Sequence, residues 1–158
     1  SVVQTRFATT ALALLRAHLG EDLEPLALDA EKALAVDVTG LLDLEQVTFL
    51  GRGWTVGLAH EAALKTREAA QFWAESYPAM DYRHGPISIA QPGRAVWTLG
   101  EVPAGLDADI AATGAQHVHH DLDPLAALVV AQRFAVALAE HRGLDPDQPR
   151  SLTRAVIL

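Results

Sequence analysis

No cysteine occurs among the 158 residues, so neither disulfides nor thiolate metal sites can hold this chain together. Runs of Lys and Arg are absent too. With a net charge of -8 and a sequence pI near 5.2, the chain has no polybasic stretch to neutralise a phosphate backbone, which argues against nucleic acid as a partner. Long apolar runs are also missing. The nearest, "LAALVVAQRFAVAL" at 125–138, is interrupted by Gln132 and Arg133 and is too short to span a bilayer, so it reads as a buried helix and no membrane contact is expected. No charged segment followed by an apolar run and a small-residue cleavage site opens the chain, so a cytoplasmic protein is the expectation. The first residue is Ser1 rather than Met, and an apolar helix follows almost at once, as in a segment cut from something longer.

What is present is half apolar by residue count, enough for a domain that buries roughly 68–70% of the surface its unfolded chain exposes. Apolar positions at helical spacing predict a helix over 6–19 ending at Gly20, and a second over about 29–36 with Asp29 as N-cap. "VTFLGRG" (47–53) reads as a buried strand entering a glycine loop. Helix propensity then runs unbroken over about 57–75, and "YPAMDYRHGP" ends it in a structured loop. A strand over 94–100, a helix over 106–116, a weaker strand over 117–122 and a long helix over 124–142, opened by Pro124 after Asp123, complete the pattern. Alternating strands and helices predict a three-layer α/β sandwich on a parallel sheet. Residues 1–46 are expected to form a helical segment packed on a domain of 47–158. In such sheets ligands bind beyond the carboxyl ends of the strands, here at Gly51, Arg52 and Gly53.

Glu61, Lys65 and Glu68 stand at i, i+4 and i+7, on one face of the predicted helix. Taken alone they describe an ordinary solvated pairing worth a few tenths of a kcal/mol. Their place between a glycine loop and a His-Gly-Pro loop suggests instead a carboxylate near a histidine, a combination suited to moving protons. "GRGWTVG" has dinucleotide-like glycine spacing, but the acidic residue needed at the end of a second strand falls in predicted helix and loop. A zinc-protease motif beginning at His60-Glu61 would need His at 64, where Leu64 stands. Alternation puts His117 and His119 on one strand face, near His120 and Asp121; with no further ligand cluster, surface histidines rather than a metal site are expected. Trp54, Trp73 and Trp97 are expected in or beside the core, with Trp54 also able to line a pocket.

"LGRGWTVGLAHEAALKTRE", "AESYPAMDYRHGP" and "RGLDPDQPRSLTRAV" resemble, in order and spacing, the second sugar isomerase (SIS) domain of the isomerising glucosamine-fructose-6-phosphate aminotransferase group, over about residues 47–158. The resemblance implies a flavodoxin-like αβα fold and a phosphosugar substrate. It further implies cofactor-free proton transfer between C1 and C2 of a hexose or hexosamine 6-phosphate, by an isomerase or a deaminase. On the matching positions, Glu68 resembles the base, with Glu61 and Lys65 supporting it, and His84 the group that helps open the sugar ring at a neighbouring subunit's site. Val2 matches a backbone contact to the ligand, and Gly51, Arg52, Gly53, Thr153 and Arg154 fall at substrate-contacting motifs. The implied partners are a second SIS domain in the same protein and a second copy in a homodimer.

Two departures bear on this. Thr153-Arg154 replace an Ala-Lys pair, and arginine, protonated at any useful pH, cannot readily form the Schiff base a lysine amine can. No serine- and threonine-rich phosphate loop occurs either. A phosphosugar sensor, a dimerisation domain and a fragment of a glutamine-dependent aminotransferase are the alternatives.

Overall fold

The computed structural model describes residues 6–152. In chain order these form α1 (Arg6–His18), α2 (Glu24–Ala35), β1 (Gln46–Gly51), α3 (Thr55–Ala70), β2 (Ala74–Pro78), β3 (Arg94–Leu99), α4 (Leu106–Thr113), β4 (Gln116–His119) and α5 (Pro124–His141), with short 3-10 turns at Thr39–Leu41, Tyr82–His84 and Pro86–Ile89. All four strands are parallel, in the order β2-β1-β3-β4.

Strand alternation sorts the core onto the two faces of the sheet. Val47, Phe49, Trp97 and Val118 pack toward α2, α3 and α5, while Leu50 and Val96 meet Leu106 and Ile110 of α4 on the other side. The result is the expected three-layer αβα sandwich. Phe134 of α5 reaches the ring of Trp97 at 5.6 Å between centroids, joining helix and sheet through an aromatic contact. No helix among the described residues is long and apolar enough to cross a membrane.

The N-terminal helices are tied on by polar clasps as well as by packing. Leu26 and Ala33 of α2 belong to the main core, and the Arg133 guanidinium donates to the terminal carbonyls of Ala33 and Val36 at 3.1 and 2.6 Å. Helix α1 buries no residue outright. Its anchor is Arg16, which grips the Asp123 carboxylate with two hydrogen bonds of 2.9 and 2.8 Å, while the same carboxylate caps α5 by accepting from the Leu125 amide.

Two expectations are corrected. Helix α2 begins at Glu24, not Asp29, because Asp22 accepts the Glu24 amide and Pro25 sits in the first turn; Asp29 lies mid-helix and bonds Lys32 and the Asp123 amide. Helix α3 stops at Ala70, and residues 74–78 form the strand β2 instead of the predicted helix end and loop. Gln71 turns into the left-handed region (φ 50), and pairing with β1 from Val47–Ala74 to Gly51–Pro78 overrides local helix propensity. Of the three tryptophans, Trp97 alone is in the core; Trp54 and Trp73 are 55% and 47% exposed.

Candidate functional site

Helix α3 leaves the sheet through the Gly51–Gly53 turn. A Cβ on Gly51 would stand 2.2 Å from the Thr55 carbonyl oxygen, so this glycine is required for the helix to start against the strand end. The Thr55 hydroxyl locks the turn, accepting from the Arg52 amide at 2.8 Å and bonding the carbonyls of Leu99 (2.8 Å) and Arg52 (3.0 Å). Arg52 is held by Glu101, so its charge is already met.

One and a half turns further down, Glu61, Lys65 and Glu68 do share a face, but that face is not solvated. Lys65 is buried at 6% exposure, its ammonium 2.7 Å from Glu68 and 3.8 Å from Glu61. Small neighbours explain the burial: Ala62, Ala63, Ala69 and Ala70 let α3 lie close against the body, and the lysine stem runs along that contact. Burial pushes the Glu61 carboxyl above its ordinary value, and the nearby Glu68 charge adds to this while Lys65 opposes it. Burial thus favours the protonated form of Glu61, while the Lys65 ammonium lies in direct contact with the Glu68 carboxylate.

Glu68 lines an open depression of about 320 Å³ between the last turn of α3 and the segment 150–152. Gln71 and Phe72 border it on one side, and Arg150, Ser151 and Leu152 on the other. The chain leading into Thr153 and Arg154 therefore runs beside Glu68. Val2, Thr153 and Arg154 themselves lie outside the described residues.

The remaining expected residues fall elsewhere. Gly51, Arg52 and Gly53 sit just before α3, fifteen or more residues ahead of Glu68, which at helical rise is about 20 Å away. His84 follows the carboxyl end of β2, and its neighbour Arg83 fastens that loop to Asp109 in the first turn of α4 (2.5 Å) and to the Ala104 carbonyl (2.8 Å). Glu68 is at the opposite end of the sheet, because β2, absent from the sequence reading, separates the two by a strand length, roughly 15 Å. Within one chain the carboxylate and the histidine do not meet.

His117 and His119 share a strand face as alternation predicts, their rings 6.4 Å apart and both bonded to the Thr98 hydroxyl at 3.0 and 3.1 Å. Burial holds His117 below the ordinary imidazole range. No group of three or more potential ligands assembles for a metal among the described residues. The depression beside Glu68 and its arginines, Arg67 and Arg150, was missed at the sequence level. Arg67 adjoins Glu68 and Arg150 sits inside the quoted tail motif, but only the fold brings them to one hollow.

No family model matches the chain. Glutamine–fructose-6-phosphate aminotransferase (isomerizing) from Corynebacterium efficiens is 30% identical over 82% of this chain, which spans 26% of that relative's length. Among solved structures, a glucosamine-6-phosphate deaminase from Thermotoga maritima superimposes with a TM-score of 0.80 at 22% identity, covering 100% of this chain and 58% of its own. The C-terminal domain of glucosamine-fructose-6-phosphate aminotransferase from Francisella tularensis gives 0.62 at 24% identity, covering 80% and 43%. At these identities the structural likenesses establish the fold alone. The chain thus spans about a quarter of the curated relatives it matches and about half of the solved ones.

Proposed function

This chain is a sugar isomerase (SIS) domain resembling the C-terminal part of the isomerising aminotransferases, and on that premise we propose that it supplies the proton-transfer half of a phosphosugar isomerase or deaminase. The observation that carries the reading is the buried ammonium of Lys65 between two carboxylates, beside an open hollow of small-molecule dimensions.

Glu68, in contact with the Lys65 ammonium and open to the hollow, takes the proton from C2 of an open-chain aldose phosphate and returns it to C1. The carbon acid is activated by its carbonyl, and the intermediate is an enediol, or an enolamine for an amino sugar. For the isomerase one C–H bond breaks, one forms, and the hydroxyl proton shifts between oxygens; for an amino sugar the same C2-to-C1 proton transfer leaves an imine at C2, to which one water adds as ammonia departs. Glu61, whose carboxyl burial favours in its protonated form, serves as the local proton reservoir while Lys65 compensates charge on the changing carboxylate. His84, far from Glu68 in its own chain, acts on the ring oxygen at the site of a second copy. The likeness of the fold to a deaminase supports the amino-sugar alternative as a substrate class, without choosing between the two reactions.

The test is exchange of solvent deuterium into C2 of hexose and hexosamine 6-phosphates by the full-length protein, with ammonia release followed alongside. Glu68→Gln is expected to reduce exchange by about 10²-fold or more. Exchange that survives the substitution removes Glu68 from the mechanism.

A further inference from the structure

An amphipathic surface helix ordinarily turns its apolar stripe toward the domain that carries it. Helix α1 does the reverse. Of the five helices it separates apolar from polar residues most sharply, yet it buries no residue outright. It meets its own domain through the partly buried Leu12 and Ala13 and through the Arg16 clasp on Asp123. Phe7, Ala11, Leu14 and Leu15 stand at i, i+4, i+7 and i+8, and Leu19 continues the line one turn beyond Leu15. Phe7, Leu14, Leu15 and Leu19 are 74%, 65%, 59% and 78% exposed.

Single apolar residues on a surface need no explanation, but a contiguous apolar patch with a polar border marks contact with another body. Two observations bear on what that body is. Arg6 and His18 flank the line, and α1 holds neither Asp nor Glu, so the same helix of a second copy would bring basic groups together without a counter-charge. This chain also spans only 26% of the matched aminotransferase and 58% of the superimposed deaminase, so those proteins carry further chain beside the part matched here.

We propose that the outward face of α1 is a docking surface for a part of the same polypeptide that precedes Ser1, which presents an apolar helix face bordered by acidic side chains. The junction lies five residues ahead of α1. So short a tether holds the two bodies at an effective concentration on the order of millimolar, which favours this occupant over a second molecule. The Arg16 clasp then has a purpose that burial does not give it: its two charged hydrogen bonds fix the rotation of α1, so that the stripe stays presented outward. Docking supplies the burial that α1 lacks in its own domain. This rests on the chain being one part of a longer protein, as proposed above, and not on Glu68 being a base.

The experiment uses full-length protein and exploits the absence of cysteine from these 158 residues. Leu14→Cys and Leu15→Cys, made separately, each place a thiol in the stripe, and Ala17→Cys places one on an exposed flank as the reference. Both leucines are exposed in this domain, so neither substitution disturbs its own packing. Alkylation by iodoacetamide, read peptide by peptide in a mass spectrometer, is expected to be about tenfold or more slower at positions 14 and 15 than at 17. The ratio should be the same at about 10 µM and about 0.1 µM protein, and a benzophenone maleimide attached at position 14 should cross-link to peptides ahead of Ser1 in the same chain. Thiols at 14 and 15 that react within about twofold of the one at 17 overturn the docking surface. So does protection that fades on dilution with cross-links between two chains, the sign of a second copy, and so does protection that needs anionic phospholipid vesicles, the sign of a lipid surface. Protection without any C2 exchange would sink the proton-transfer reading and leave the docking surface standing, whereas exchange without protection would do the reverse.

Discussion

Replacing Lys65 by Met keeps most of the buried stem and removes only the charge, which makes it the sharpest probe of the α3 face. The lysine side chain is 7% exposed, and the carboxylates it separates, Glu61 and Glu68, are 19% and 21% exposed. Deleting one partner of a buried ionic group costs about 3–5 kcal/mol, because the charges left behind are neither solvated nor paired. Residual water contact at both carboxylates puts this case at the lower end, about 3 kcal/mol. For a domain of this size that corresponds to a fall in Tm of roughly 6–12 °C.

The sign of the pH dependence follows from Glu61. Its folded pKa is already raised by burial, so ionised Glu61 costs stability above that pKa, and the cost fades as pH falls through it towards the unfolded value. Without Lys65 the charge that opposes the rise at Glu61 is gone, so the deficit of Lys65→Met should be greatest at pH 7.5 and shrink towards pH 4.5. Urea unfolding at the two pH values measures this, and the double variant Glu61→Gln/Lys65→Met should recover part of the loss at pH 7.5. A Lys65→Met protein within about 0.5 kcal/mol of wild type at both pH values would mean that the three residues behave as an exposed pairing, and the argument from burial would fail.

Gly51→Ala should lower stability by about 3 kcal/mol, since the new Cβ meets the Thr55 carbonyl and no side-chain rotation relieves a backbone clash; a drop in the urea midpoint at unchanged slope is the expected reading, and an unchanged midpoint would contradict the geometry. Arg16→Ala removes the charged hydrogen bonds that anchor a helix with no buried residue, worth about 1.5–3 kcal/mol. Hydrogen exchange in residues 6–18 should accelerate about tenfold or more while α3 and α5 are unaffected, and uniform acceleration would show that α1 does not open by itself.

Most of the architecture was legible because its signals are local. Glycine and proline punctuation located α1, α4 and α5 to within a few residues, and Asp123 before Pro124 marked the start of α5 through its own capping bond. Strand β2 was not legible. "AESYP" has no alternation strong enough to oppose the alanine-rich helix before it, and its strand conformation comes from pairing with β1, a contact between segments over twenty residues apart. That single omission also misplaced His84, which proximity in sequence seemed to bring to Glu68 and the strand carries to the other end of the sheet. The charge pattern on α3 was legible as a pattern only. Whether it faced water depended on α5, whose alanines and Phe134 belong to the core that α3 packs against.

Burial of that charge bears on what the domain is for. A buried lysine between two carboxylates contributes little to folding, and well-packed apolar residues of similar volume commonly serve stability as well or better. Most of the inward face of α3 takes that simpler course, with Leu58 and alanines at 59, 62, 63, 69 and 70. A domain needed only for docking would fold at least as well with apolar residues in place of Glu61, Lys65 and Glu68 together. Lys65 and its carboxylates therefore sit where stability does not ask for them, at the edge of the hollow that Glu68 lines. The proton-transfer site we propose gives those three residues a role, which folding stability alone does not.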